Sequence, residues 1–348
     1  MERSILVHLG SGLGNMLMVT PMIKMLSKGG IQVDLCVQGE TPGVEHLFER
    51  WPYVRKVSSA SADFRANNYE YYLYGVEVRE PPIEFVNRDK AVVLHPMWDR
   101  YQYDLYSEIE LYTNLARCIV PDAPMDLHPE CTSSGRKFPE ISAKTCVIAP
   151  GGQRHLQIRK WLGYGDLARH LPDVAVVGTK GDMDISNRIV FPGWVRTLAG
   201  EQLNYPGRFW RGAHRFAKRL DQMTEFPGHA KNYVGQLSLA DTASLIEQAG
   251  CVIGNDCGLT HLAIALGKPT IVLLGPTSQR KVFPSFLKDV TLVKKNFECQ
   301  PCQENPRLRA WRISNTQVFC PFGIRCMEEI TVENVLEALA RAYPEALS

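Results

Sequence analysis

The chain has 348 residues, of which 45% are hydrophobic and 22% charged, and its formal net charge is +2. That length supports two domains with proper cores, and the composition excludes an obligatorily disordered protein. The near-neutral balance gives no global argument for nucleic acid, and no run of about 18 apolar residues marks a membrane span.

Residues 1–4 lead directly into an apolar segment without a signal-peptide pattern, so a cytoplasmic protein is expected. The first buried-strand pattern is 5–9. It is followed by Gly10-Ser11-Gly12-Leu13-Gly14-Asn15 and an apolar helix over 16–26. Further strands are predicted at 33–37, 54–57, 71–73 and 91–94, separated by helical or turn segments, which reads as one α/β domain. Pro121, Pro124, Pro129 and Pro139 punctuate a stretch containing Ser133-Ser134-Gly135, predicted to be the interdomain linker. A second series of strands follows at 146–149, 174–178, 233–234, 251–253 and 270–274.

The most informative stretch is 254–277, which sets a polar turn between two buried hydrophobic segments. The strand at 251–253 runs into Asn255-Asp256-Cys257-Gly258, and a helix is predicted over 259–266. A helix start there presents free backbone N–H groups and partial positive charge, a natural seat for phosphate. The strand at 270–274 then runs into Gly275-Pro276-Thr277, a second turn at the same sheet edge, where open parallel sheets bind ligands. Taken singly, Asp256 reads as a helix cap and His261 as a packed core residue.

The combination Asp256-x-Gly258-x-x-His261-x-Ala263, an aliphatic helix, Gly267-x-Pro269-Thr270, an apolar strand and Gly275-Pro276-Thr277 resembles the donor-site signature of glycosyltransferase family 9. This is the family of the ADP-heptose:lipopolysaccharide heptosyltransferases. The opening strand and loop with Thr20-Pro21, the segment 146–152 with Lys160-Trp161, and the stretch 326–335 are similar to other parts of the same family. The resemblance implies a GT-B architecture, two facing Rossmann-like domains with a central cleft. Residues 1–130 would form the acceptor-side domain, 131–144 the linker, 145–327 the nucleotide-sugar-binding domain and 328–348 a C-terminal helix. It also implies transfer of a sugar, heptose by analogy, with inversion, from an ADP-heptose-like donor to a hydroxyl of a glycan or other glycoconjugate. A non-catalytic nucleotide-sugar or glycan-binding protein and a nucleotide-sugar epimerase on the same fold remain alternatives.

Such a transfer needs a diphosphate seat, stabilisation of the leaving charge and a base for the acceptor hydroxyl. The expected donor-binding residues are Gly12, Gly14, Lys160, Asp256, Gly258, Thr260, His261, Gly275, Pro276 and Thr277. Arg154 and Arg159 lie on the same loop as Lys160. By the resemblance Lys160 contacts the diphosphate and Asp256 faces the nucleotide side, both in a cleft and outside the core. The chain departs from the family at the base, because Asn15 stands where the heptosyltransferases have aspartate, and asparagine cannot take a proton. Asp99 and Asp104, among the aromatic residues of 97–104, are the candidate replacements; helix-surface charges explain them equally well.

Asp182-Met183-Asp184 spells a D-x-D, which fits an acidic helix N-terminus as well as a metal site; no catalytic metal is expected. Four of the ten cysteines are grouped as Cys299-x2-Cys302 and Cys320-x5-Cys326, a spacing that suits a structural zinc or iron. Residues 194–231 carry seven Arg or Lys against three Asp or Glu, interleaved with aromatics. Such a stretch can hold a phosphorylated glycan or a nucleic acid, and an amphipathic helix over 207–223 explains it too.

Overall fold

The computed structural model describes residues 3–10, 12–38, 41–64, 69–75, 91–94, 106–152, 157–183, 226–302, 312–314, 317–318, 320 and 324–348. Asp99, Asp104, Arg154, Asp184 and the predicted helix at 207–223 lie outside these residues.

Two parallel sheets form the frame. The first contains β1 (Ser4–Leu9), β2 (Gln32–Val37), β3 (Lys56–Ser58), β4 (Tyr71–Gly75) and β5 (Ala91–Leu94), in the order β3-β2-β1-β4-β5. The second contains β6 (Cys146–Ala149), β7 (Val174–Val176), β8 (Lys231–Asn232), β9 (Cys251–Asn255), β10 (Thr270–Leu274) and β11 (Val290–Lys294), in the order β11-β10-β9-β6-β7-β8. Both follow the doubly wound pattern, in which strand order reverses between the first and fourth strands of each sheet. The switch points therefore lie between β1 and β4, and between β6 and β9. A small antiparallel pair, β12 (Arg312–Ser314) and β13 (Gln317–Val318), stands apart.

Helix α1 (Leu13–Lys28) is apolar around most of its circumference, and nearly every residue from Leu13 to Leu26 is buried. A helix hydrophobic on all sides must be covered on all sides. The first sheet, α2 (Glu108–Ile119) and a helix of the second half cover it. The residue after α1, Gly29, lies against Val120 at the end of α2, so the two helices run parallel along the sheet. The second half adds α3 (Tyr164–Arg169), α4 (Leu239–Gln248), α5 (Gly258–Ala265), α6 (Gln279–Val282), α7 (Arg325–Glu328) and α8 (Val332–Ala342). Helix α8 opens on a capping box of Thr331 and Asn334 and packs beside β11.

The irregular stretch between the sheets is bound to both of them. Thr132 donates from its N–H and hydroxyl to the Leu47 carbonyl in the first half. In the second half, Ser134 donates to Asp241 and the Gly135 N–H donates to Ser244 at 2.8 Å, both on α4. No helix among the described residues is long and apolar enough to cross a membrane.

Candidate functional site

Four loops of the second half converge at the carboxyl ends of its strands, and a buried asparagine joins three of them. Asn255 ends β9 with no exposed surface. Its Oδ1 accepts from the Trp161 N–H at 3.0 Å and the Tyr164 hydroxyl at 2.9 Å, while Nδ2 donates to the Pro150 and Gly151 carbonyls at 2.8 and 3.2 Å. One side chain thus fixes the turn after β6, the entry to α3 and the end of β9. In sequence it reads as a turn residue, and nothing there marks it as a hub.

The next residue, Asp256, is only 5% exposed. Arg159 Nη1 lies 2.9 Å from its Oδ2, His261 Nε2 lies 3.4 Å from its Oδ1, and Thr277 hydrogen-bonds the same carboxylate. Burial alone would raise its pKa. The Arg159 charge, reinforced by His261 and Thr277, reverses this and holds the carboxyl well below its usual range. Asp256 is therefore ionised at any physiological pH and is a poor proton acceptor. It gathers a cation, an imidazole and the Gly275-Pro276-Thr277 loop into one cluster.

Helix α5 starts immediately after. Thr260 has no exposed surface, and its hydroxyl bonds the Asn255 and Cys257 carbonyls while accepting from the Cys257 N–H. Thr260, expected among the donor-binding residues, thus shapes the turn with its side chain. Gly254 has no room for a side chain because Thr260 and the Ala149 carbonyl press against it. His261 is 6% exposed and stacks on Phe283 with ring centroids 4.7 Å apart.

Lys160 is 2% exposed and donates to the Asp182 main-chain carbonyl. Asp182 in turn accepts from the Thr179 N–H at 2.6 Å and the Gly152 N–H at 3.3 Å. The first aspartate of the D-x-D is thus a loop clamp and helix cap, as its acidic helix-start pattern allows. Gly151 is required where it stands, because a side chain there would run into the Asp182 carboxylate. Gly275 is hemmed in by Met327 and Cys326 on α7, and its carbonyl accepts from Gln300 Nε2 at 2.7 Å. The cysteine-bearing segment therefore braces the Gly275-Pro276-Thr277 loop. Among the described residues no three His, Cys, Asp or Glu side chains come together as a metal-ligand set. Of the four thiols expected to form one site, Cys299, Cys302 and Cys320 are partly buried. Cys326 is buried and packed against Gly275, and Cys320 Sγ accepts from the Ile324 N–H at 3.3 Å.

The first half meets this cluster at the start of α1. Gly12 is its N-cap, and the Asn15 N–H donates to the Gly12 carbonyl at 3.1 Å. Gly14 lies against the His261 ring and Gly258 against Leu13, so the N-termini of α1 and α5 face one another across the two halves. Gly12, Gly14, Lys160, Asp256, Gly258, His261, Gly275, Pro276 and Thr277 are all brought to this junction or to the loops that form it. Two helix starts and two basic side chains around it can hold an anion.

The profile of Glycosyltransferase family 9 (heptosyltransferase) matches residues 209–310. A lipooligosaccharide heptosyltransferase 2 of Haemophilus influenzae is 40% identical over 53 residues, 15% of this chain and 15% of that protein. Among solved structures, the ADP-heptose lipopolysaccharide heptosyltransferase II of Escherichia coli superposes with a TM-score of 0.64 at 18% identity, over 97% of this chain and 98% of that one. A family 9 glycosyltransferase of Veillonella parvula gives 0.62 at 14%, over 99% and 98%. The iron-containing dodecameric glycosyltransferase TibC of enterotoxigenic E. coli gives 0.59 at 15%, over 99% and 79%. Through residues 209–310 the chain is related to glycosyltransferase family 9, and along nearly its whole length it carries the two-sheet GT-B fold of solved heptosyltransferases.

Proposed function

We propose that the protein is a glycosyltransferase that moves a sugar, heptose by analogy, from an ADP-heptose-like donor to a hydroxyl of a glycan or glycoconjugate acceptor. The observation that carries this reading is the buried Asp256 cluster at the β6/β9 switch point. There Arg159, His261 and Thr277 surround one carboxylate, and Lys160 stands on the adjoining loop. In this reading Lys160 and the starts of α5 and α6 stabilise the diphosphate as it leaves, and Asp256 holds the loop that faces the nucleotide. Inversion at the anomeric carbon, and Asp99 or Asp104 as base, rest on the family resemblance and on sequence context. A structural zinc or iron on the four grouped cysteines rests on their spacing alone; metal near one equivalent per chain in purified protein would support it.

Asn15 favours one second reading, a nucleotide-sugar-binding protein without transfer. The decisive experiment mixes ADP-heptose with a heptose-deficient lipopolysaccharide core and measures nucleotide release and glycan mass. Transfer supports the enzyme. Stabilisation by ADP-heptose without release supports the binding protein, and a ligand at a hundredfold its dissociation constant adds about 2.7 kcal/mol of stability.

A further inference from the structure

The turn Gly275-Pro276-Thr277 leaves β10 and leads into α6. Its first peptide offers one polar handle. Pro276 has no N–H, so the Gly275–Pro276 unit can be anchored only through the Gly275 carbonyl. No side chain can do the anchoring at Gly275, because a Cβ there would stand 2.4 Å from Met327 Sδ and 3.4 Å from Cys326 Sγ.

The group that holds this carbonyl is Gln300, 25 positions along the chain, whose Nε2 donates to it at 2.7 Å. Its Oε1 accepts from the Phe297 N–H at 2.8 Å, and its own N–H donates to the Phe297 carbonyl at 2.9 Å. Both ends of the amide are committed, and the two bonds fix which end is nitrogen. The Phe297 ring lies under the Arg325 guanidinium of α7, 4.6 Å from its centroid. Gln300 therefore stands in a fixed frame, between Cys299 and Cys302 in the chain.

From the turn the contacts run on to the buried carboxylate. Thr277 hydrogen-bonds Asp256, and Ser278 caps α6 by accepting from the Lys281 N–H. Gln300 and Asp256 thus grip the same turn from its two ends. We propose that Gln300 is a positioning residue for the donor. It fixes the Gly275–Pro276 peptide, and with it the approach of Thr277 to Asp256 and the direction in which α6 begins. The inference rests on the glycosyltransferase reading, in which the start of α6 faces the diphosphate.

Two near-isosteric replacements separate this role from simple bracing of the segment around Phe297. Q300M loses both amide bonds, while Q300E keeps an acceptor for the Phe297 N–H and sets an oxygen against the Gly275 carbonyl. Bracing alone would make Q300E the milder change. Positioning reverses the order: in calorimetric titration with ADP-heptose, Q300M should bind about 3–10-fold more weakly than wild type, the value of one net hydrogen bond, and Q300E more weakly still. Q300K, which restores a donor for the carbonyl, should recover part of the loss. With ADP-heptose and the heptose-deficient core, the donor KM should rise while kcat stays within about twofold, as for a group that binds ground state and transition state alike. Combined with T277V, Q300M should cost less than the product of the two separate losses, since both act on one turn. Equal affinity in wild type and both isosteres, a milder Q300E, or multiplicative losses in the double variant overturns this inference and leaves the glycosyltransferase reading standing. So does a variant of lowered Tm whose folded fraction binds donor normally. A wild type that neither binds ADP-heptose nor releases nucleotide overturns the reading, and this inference with it.

Discussion

Gly14 and His261 touch across the two halves of the molecule: a Cβ added to Gly14 would stand 2.7 Å from His261 Cδ2. The relationship is reciprocal, since a Cβ on Gly258 would stand 2.9 Å from Leu13 Cβ. Each helix start thus lacks a side chain where the other supplies one. This lets the starts of α1 and α5 approach closely.

Gly14→Ala is expected to weaken donor binding and lower Tm, although alanine is the better helix former by about 1 kcal/mol. In a His261→Ala background the same change should become neutral or stabilising, with a coupling energy of about 0.5–3 kcal/mol between the positions. Thermal melts of the four proteins in the cycle check it. Additive effects would mean that the contact does not set the spacing of the two halves.

Asn255 leads to a stability prediction. Asn255→Leu removes partners from the Trp161 N–H, the Tyr164 hydroxyl and two carbonyls, none of which has water access in the folded core. Even one orphaned group costs about 1–3 kcal/mol. The variant should lose several kcal/mol in denaturant titration and lose donor binding along with it. Asn255→Asp keeps the two acceptor contacts but puts a second oxygen against the carbonyls, so it should fare no better.

The sheets were largely readable because buried parallel strands are short apolar runs. Residues 91–94, 146–149 and 270–274 form strands with the expected bounds. The expected strand at 233–234 sits two residues earlier, at Lys231–Asn232, a polar edge strand without an apolar pattern. The opposite edge, β11, was missed for a similar reason: it lies between lysines and is only partly buried. The strand–turn–helix arrangement of 251–274 was legible as a local motif. Asn255 and the ion pair between Glu108 on α2 and Lys281 on α6 were not, because their partners are distant in the chain. Period and propensity carry no information about such contacts.

Asp256 makes acid stability measurable. Its folded pKa lies below the unfolded value near 3.9. The ionised carboxylate therefore contributes stability that is fully present above about pH 4 and is lost as the pH falls toward the folded pKa. Asp256→Asn lacks this contribution. The wild type should exceed the variant by a constant amount above about pH 5, and the gap should close on acidification. At neutral pH it should sit near the low end of the about 3–5 kcal/mol typical of a broken buried pair, because Arg159 keeps some solvent contact. A gap that widens below about pH 4 would contradict this assignment.

Lys160 separates donor binding from stability, which Asp256 cannot do now that both prove to be buried. The sequence-based expectation placed both in a cleft and outside the core. For Asp256 the charge cluster makes that untenable. For Lys160 the described bond goes to a main-chain carbonyl that Asp182 positions by its own side-chain contacts. Lys160→Met keeps the buried stem and loses the bond to the Asp182 carbonyl, so the fold should persist with a modest fall in Tm. If the ammonium group meets the diphosphate, ADP-heptose affinity should fall by the value of a charge-assisted bond, about 1.5–3 kcal/mol or roughly 10–150-fold. Calorimetric titration of both proteins decides it. Equal affinities would remove Lys160 from the donor site and leave it a fastener between the loops after β6 and β7.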